Sequence, residues 1–168
     1  MLITTSRRPG HRSRILGREL SRVLPGSVYL PRGEKTVRKL IELAQRLDKR
    51  AVLIICTVQA EPRELRFLTK KEEGWRWSWF APTLSRVVLA RDLGFRISKQ
   101  AVGIFSETAG SYAKVLSELT GLPVTNDSEL PVMRVERDRI EFLEQRLRIG
   151  PLIEIERWES GQAGADLG

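Results

Sequence analysis

The run AVLIICTV, Ala51–Val58, constrains this chain more than any other stretch. It is apolar and β-branched without alternation, the pattern of a strand buried on both faces. A strand of that kind needs a layer on each side, and the segments before it read as helices. Leu2–Thr5 is a short strand that stops at Ser6, and Arg7-Arg8-Pro9-Gly10 is a turn punctuated by Pro and Gly. A helix follows from about His11 to Pro25-Gly26, with Leu16, Leu20, Val23 and Leu24 on one side. Ser27–Leu30 is a second short strand and Pro31-Arg32-Gly33-Glu34 a loop. A helix over Lys35–Leu47 then turns Val37, Leu40, Ile41, Ala44 and Leu47 inward. Leu65–Thr69 and Trp75–Phe80 form a hairpin that turns over Lys70–Gly74. The fold class is α/β.

The second half repeats that order in shortened form. Ser85–Ala90 is a strand, Arg91–Gln100 an irregular link, and Ala101–Phe105 another strand. A helix from about Glu107 to Leu119 points Tyr112, Val115, Leu116 and Leu119 inward and ends at Gly121-Leu122-Pro123. Strands follow at Val132–Glu136, Arg139–Glu144 and Leu152–Trp158. The helix–strand–strand–strand order of residues 35–80 thus returns. The chain reads as two similar α/β halves, an internal pseudo-repeat in which each half is a mixed sheet with helices. The tail from Glu159 is small, polar and frayed.

Charge is distributed unevenly over this frame. The first fifty residues hold thirteen Lys and Arg against four acids, a local balance of +9, while the whole chain is only +8. Residues 51–168 come out near −1, with sixteen basic and seventeen acidic side chains. A surplus confined to one end attracts polyanions, nucleic acid above all. Arg outnumbers Lys by twenty-two to seven, which favours planar, forked contacts to phosphate but also fits base composition or heat adaptation. Arg14, Arg18 and Arg22 recur every fourth residue along the first helix, and only Glu19 interrupts them. Together with Arg7, Arg8 and Arg12 they form the strongest candidate phosphate-binding set, suited to a nucleic-acid backbone rather than to bases. Arg32, Lys35 and Lys39 widen it, and His11 is a surface or phosphate-contacting imidazole.

Few groups for catalysis are present. His11 is the only histidine and stands among arginines, without an orienting acid. Cys56 lies mid-strand and reads as a small buried hydrophobe. A single cysteine excludes an intrachain disulfide and a structural zinc site. Gly33-Glu34-Lys35-Thr36 imitates the end of a P-loop, but no glycine stands five positions earlier and Glu34 occupies the lysine position. No cofactor, no metal and no enzymatic activity are expected. Trp75, Trp77 and Trp79 alternate with Arg76 and Ser78, so three indoles share one strand face, as core or as a platform for bases. The longest apolar run is too short to span a membrane, and the first residues lack the features of a signal peptide. A cytoplasmic protein is expected, or a nuclear one if the organism has a nucleus.

These residues also carry a resemblance. ITTSRRPGHRSRILGREL (Ile3–Leu20) and LPRGEKTVRKLIELA (Leu30–Ala44) resemble the Brix-domain family of ribosome-biogenesis proteins, especially its small-subunit-processing branch. Thr5-Ser6-Arg7 with Pro9, the basic helix, Arg32-Gly33 before the second helix, and Ile149-Gly150-Pro151 match the family pattern. Gly10 stands where members often have Ser, and Leu152-Ile153 where Arg-Phe commonly follows the Gly-Pro. The length is similar to that of the compact archaeal form. The resemblance implies one Brix domain over residues 1–158, with halves 1–82 and 83–158, related in fold to anticodon-binding domains of some tRNA synthetases. It implies a non-catalytic assembly factor or RNA chaperone that binds ribosomal RNA or its precursor, with assembly proteins meeting the near-neutral second half. An anticodon-binding-type module for tRNA is the alternative, and a small carboxylate- or metal-dependent enzyme on RNA the remote one.

Overall fold

The computed structural model describes residues 1–159. The first half runs β1 (Leu2–Thr5), α1 (His11–Val23), β2 (Val28–Tyr29), α2 (Val37–Arg46), β3 (Ala51–Val58), β4 (Glu61–Lys71) and β5 (Gly74–Trp77). Then come β6 (Phe80–Val88), a 3-10 turn (Ala90–Leu93), β7 (Gly103–Phe105), α3 (Gly110–Thr120), β8 (Val132–Glu136), β9 (Arg139–Glu144) and β10 (Leu147–Glu159). The α/β expectation holds. A separate sheet in each half does not: one ten-stranded sheet runs β2-β1-β3-β4-β6-β10-β9-β8-β7, with β5 on β4. Strands β6 and β10 pair across its middle, and β6 runs through the expected half boundary at 82/83.

β3 behaves as its composition demands. Leu53 and Ile55 join the cluster under α1 and α3, while Val52 and Ile54 join the cluster under α2. Successive strand residues point to opposite faces, so α1 and α3 cover one face of the sheet and α2 the other. β1 pairs parallel to both β2 and β3, and the antiparallel pairings begin at β4. The sheet also curls. Leu53 of β3 and Ile140 of β9 line one small void with Leu20 of α1 and Leu116 of α3. In a flat sheet of that strand order those residues would stand roughly 19 Å apart, at about 4.8 Å per strand.

Element bounds differ from expectation where local signals are absent. β4 begins at Glu61 rather than Leu65, because Val58 and Glu61 already pair across a two-residue turn, Gln59-Ala60. Both turn residues have positive φ, 50° and 68°, and Gln145-Arg146 repeats this with 47° and 68° between β9 and β10. Such turns usually carry Asn-Gly, and neither pair advertises one. Phe80 opens β6 rather than closing β5, and β6 ends at Val88, so Ala90 falls in the 3-10 turn. Pro82 inside β6 hides that strand from a pattern reading. α2 starts at Val37 because the Thr36 hydroxyl caps it, accepting from the Lys39 amide at 3.2 Å. α3 starts at Gly110, since the Glu107 and Thr108 amides donate to the Glu136 carboxylate instead. β7 starts at Gly103, the Ala101 amide being spent on Val23 at the end of α1. Glu159, expected to open the tail, still pairs with Phe80, and the rest of that segment lies outside the described residues.

An aromatic cluster welds the halves at the β6–β10 seam. Phe80 is fully buried, with its ring centroid 5.8 Å from Phe67, 5.9 Å from Trp158 and 6.2 Å from Tyr112. Trp158 stacks on Tyr112 at 4.6 Å and donates its indole N–H to the Arg137 carbonyl at 2.6 Å.

The departure at Gly10 has a steric reason. A Cβ there would run into the carbonyl oxygen of Ala60, in the turn between β3 and β4. Gly10→Ala should therefore cost about 1–3 kcal/mol of stability. Gly110→Ala, which meets nothing within 4 Å, should be neutral or slightly stabilising. Urea denaturation of the two variants checks the contrast.

Candidate nucleic-acid interface

Helix α1 buries Ser13, Ile15, Leu16, Gly17, Glu19, Leu20 and Val23 and leaves His11, Arg14, Arg18 and Arg22 exposed. The fourfold spacing of the arginines thus becomes an outward stripe. The helix lies close on β2, since a Cβ at Gly17 would stand 2.6 Å from the Tyr29 ring. That approach brings the Arg18 guanidinium 5.7 Å from the ring centroid. Burial raises the Tyr29 pKa, while the charges of Arg18 and Arg14 act against it. No acid occupies the first turn of α1 and no side chain caps it, so the helix dipole adds positive potential beside Arg7 and Arg8. Those two are exposed on the turn after β1. The turn is pinned by the Ser6 amide on the Ile55 carbonyl and by the Thr57 amide on the Ser6 hydroxyl.

Glu19 does not interrupt this stripe. It is buried, and its carboxylate accepts from the amides of Ala90 at 2.8 Å and Arg91 at 3.2 Å. Arg12 is likewise turned inward. Its fork takes both Asp92 oxygens, at 2.8 and 3.2 Å, and the Val87 carbonyl at 2.8 Å, while Nε meets Glu61 at 3.2 Å. The hydrogen bond to Asp92 chiefly raises the Arg12 pKa, and the same bond holds the Asp92 carboxyl below its ordinary value. With its donors so engaged, Arg12 holds the segment after β6 against α1.

These two contacts dock the segment after β6 onto α1, and they carry Arg91 and Arg96 with it. Arg18, Arg22, Arg91 and Arg96 line a cleft of ≈ 300 Å³ whose floor is Ile15, Phe95 and Ile97. Its one acid among the described residues is Glu19, committed to backbone amides. Arg91 and Arg96 are the residues that sequence reasoning missed. They lie in a stretch read as an irregular link, and nothing local says that it folds back on the first helix.

The remaining expected residues separate. Arg32 is only 8% exposed and donates Nε to the Lys35 carbonyl at 2.7 Å. Burial lowers its pKa, and the nearby charge of Arg7 lowers it further. Lys35 folds its ammonium onto the Pro31 carbonyl at 2.9 Å. Lys39 pairs with Glu42 at 3.1 Å on α2, across the sheet from α1. The tryptophans separate too. Trp75 and Trp77 pack against the α2 cluster, with the Arg66 guanidinium 4.5 Å from the Trp77 ring, while Trp79 lies beyond the strand end. Burial pushes the Cys56 thiol up to about 11, which keeps it protonated at neutral pH.

The comparisons with known proteins agree with this architecture. No family model matches the chain. A probable Brix domain-containing ribosomal biogenesis protein of Pyrococcus horikoshii is 31% identical, over 94% of this chain and 84% of that one. Among solved structures, a probable ribosomal biogenesis protein from Aeropyrum pernix aligns over 96% of both chains with a TM-score of 0.76 and 16% identity. Mil, an archaeal Imp4-like protein, aligns over 96% of this chain and 99% of that one, with a TM-score of 0.70 and 22% identity.

Arg12→Ala should lower stability by about 1 kcal/mol, since its partners are part-exposed. Amide hydrogen exchange should quicken over residues 90–97 and stay unchanged in β3. The Asp92 carboxyl has a depressed pKa in the folded state. Its contribution is therefore complete above the ordinary carboxylate value, about 3.9, and is lost as pH falls through the folded value. The gap between wild type and variant should narrow in that acid range, as denaturation at stepped pH will report.

Proposed function

Because the chain belongs to the Brix-domain family of ribosomal biogenesis proteins, we propose that it binds ribosomal RNA or its precursor through the exposed face of α1. Arg7, Arg8, Arg14, Arg18 and Arg22 grip phosphates, His11 lies beside them, and Arg91 and Arg96 extend the surface. The observation that carries this reading is the convergence of Arg18, Arg22, Arg91 and Arg96 on one cleft whose only acid is occupied by backbone amides. Four guanidinium groups without a free carboxylate repel one another and favour a polyanion between them. Contacts of this kind recognise the backbone and shape of an RNA helix, and they release counterions as they form.

On this reading the protein acts as an assembly factor or RNA chaperone in the cytoplasm. Holding two RNA strands together, or one apart, needs charge and shape and no bond-making step. No helix among the described residues is long and apolar enough to cross a membrane. The idea of two similar halves draws support from the pairing order. The parallel pair β1–β3 followed by antiparallel β4 and β6 is mirrored by the parallel pair β7–β8 followed by antiparallel β9 and β10. Kinship with anticodon-binding domains, and the tRNA reading that goes with it, is separated from the main proposal by ligand preference. Apart from Arg91 and Arg96, the near-neutral C-terminal half is left for an assembly protein to meet.

The test is binding to precursor ribosomal RNA fragments and to tRNA across a salt series. The joint change Arg14→Ala, Arg18→Ala, Arg22→Ala should weaken binding and flatten the log–log salt slope by roughly 0.7–0.9 per lost phosphate contact. Arg91→Ala with Arg96→Ala should act in the same direction. Equal binding by folded variants and wild type would overturn the assignment. A preference for tRNA would favour the alternative.

A further inference from the structure

A second cleft, of ≈ 630 Å³, opens between the β4–β5 hairpin and α3. Its walls include Arg50, Lys70, Lys71, Trp79, Val115 and Leu119. Trp79 is 52% exposed, the one tryptophan presented openly to solvent. Its two chain neighbours are nonetheless tied down. The Ser78 amide donates to the Phe67 carbonyl at 2.8 Å, and the Phe80 amide to the Ser78 hydroxyl at 3.1 Å. The indole meets the buried Phe80 ring edge-on, at 5.9 Å and 82°. An aromatic surface held this way loses little further freedom on binding.

The charges around it are unequally free. Glu73 pairs with Arg76, leaving Glu72 and Glu118. Arg50, Lys70 and Lys71 have no ion-pair partner among the described residues, and Arg50, Lys70, Lys71 and Glu72 line an adjoining cleft of their own. Three unpaired cations against two unpaired carboxylates leave the cleft net positive beside an open indole, which complements a ligand with both a flat ring and a negative charge. An apolar peptide would leave that positive surplus uncompensated.

We propose that this cleft takes an unpaired nucleotide of single-stranded RNA, its base stacked on Trp79 and its flanking phosphates on Arg50, Lys70 and Lys71. The proposal rests on the RNA-binding reading of α1 and adds to it a contact that discriminates unpaired from paired RNA. A duplex keeps its bases within the stack and cannot offer a face to Trp79, whereas α1 takes either form by its backbone.

The test uses the full chain with an oligouridylate and with an RNA duplex of the same length. Trp79→Ala should weaken oligouridylate binding about 5- to 150-fold and leave duplex binding unchanged. Trp79→Phe should keep most of the affinity, and Lys70→Ala with Lys71→Ala should lower it with a flatter salt slope. Tryptophan fluorescence should be quenched by the oligouridylate in wild type and not in Trp79→Ala. Unchanged oligouridylate affinity and quenching in Trp79→Ala would overturn the proposal and leave the cleft to a polypeptide. In that case, duplex binding that still depends on Arg14, Arg18 and Arg22 would keep the α1 reading intact. Binding of neither RNA by wild type would overturn both.

Discussion

Strand β3 is apolar on both faces, and the cover each face requires determines where everything else goes. α1 lies over Leu53 and Ile55, and α2 lies over Val52 and Ile54. The parallel pairing of β1 with β2 and β3 needs crossover connections, and the two helices are those connections. Close packing then removes the remaining freedom of α1. Gly10 sits under the Ala60 carbonyl and Gly17 against the Tyr29 ring, so the helix is fixed along its axis and about it. The arginine stripe faces solvent because the opposite face is held this firmly.

A basic helix packed on a sheet still has to make use of its acid. Glu19 is desolvated, and an unpartnered buried carboxylate would cost several kcal/mol. Two backbone amides at the head of the 3-10 turn satisfy it. Arg12 closes the same contact from its other side through Asp92. Opposite charges on one helix are thus sorted by partner: those at the inner edge dock the link, and those outside remain available. Docking imports two cations from the second half, so the basic surface is wider than the first fifty residues alone supply.

The tryptophan run shows the same sorting. Trp75 and Trp77 alternate within β5 and share one face, where they meet the α2 cluster. The strand ends at Trp77, so the alternation that would have placed Trp79 beside them no longer applies. Ser78 turns the backbone toward β6, and the third indole lies over the cleft beside α3. A three-residue pattern therefore holds two structural roles, separated by where one strand stops.

Much of the frame was legible in the chain itself. AVLIICTV gave β3 to the residue, and β1, α1, β8 and β9 lie where periodicity placed them, because one segment's apolar spacing carries that information. The turns Gln59-Ala60 and Gln145-Arg146 were not legible, since their left-handed backbone is imposed by pairing strands and not by Asn or Gly. The arginine stripe was legible for the same local reason as the strands. In the sequence Arg12 reads with the outward arginines and Glu19 as a break in their stripe, although helical spacing sets both with Leu16, Leu20 and Val23 on the inner face. What they engage was decided only by the tertiary structure. Asp92 and the amides of Ala90 and Arg91 lie more than seventy residues away, and only the curled sheet brings the link after β6 against α1. Local sequence sets which face a side chain takes, whereas charge pairing depends on which distant segment the closed sheet puts opposite it.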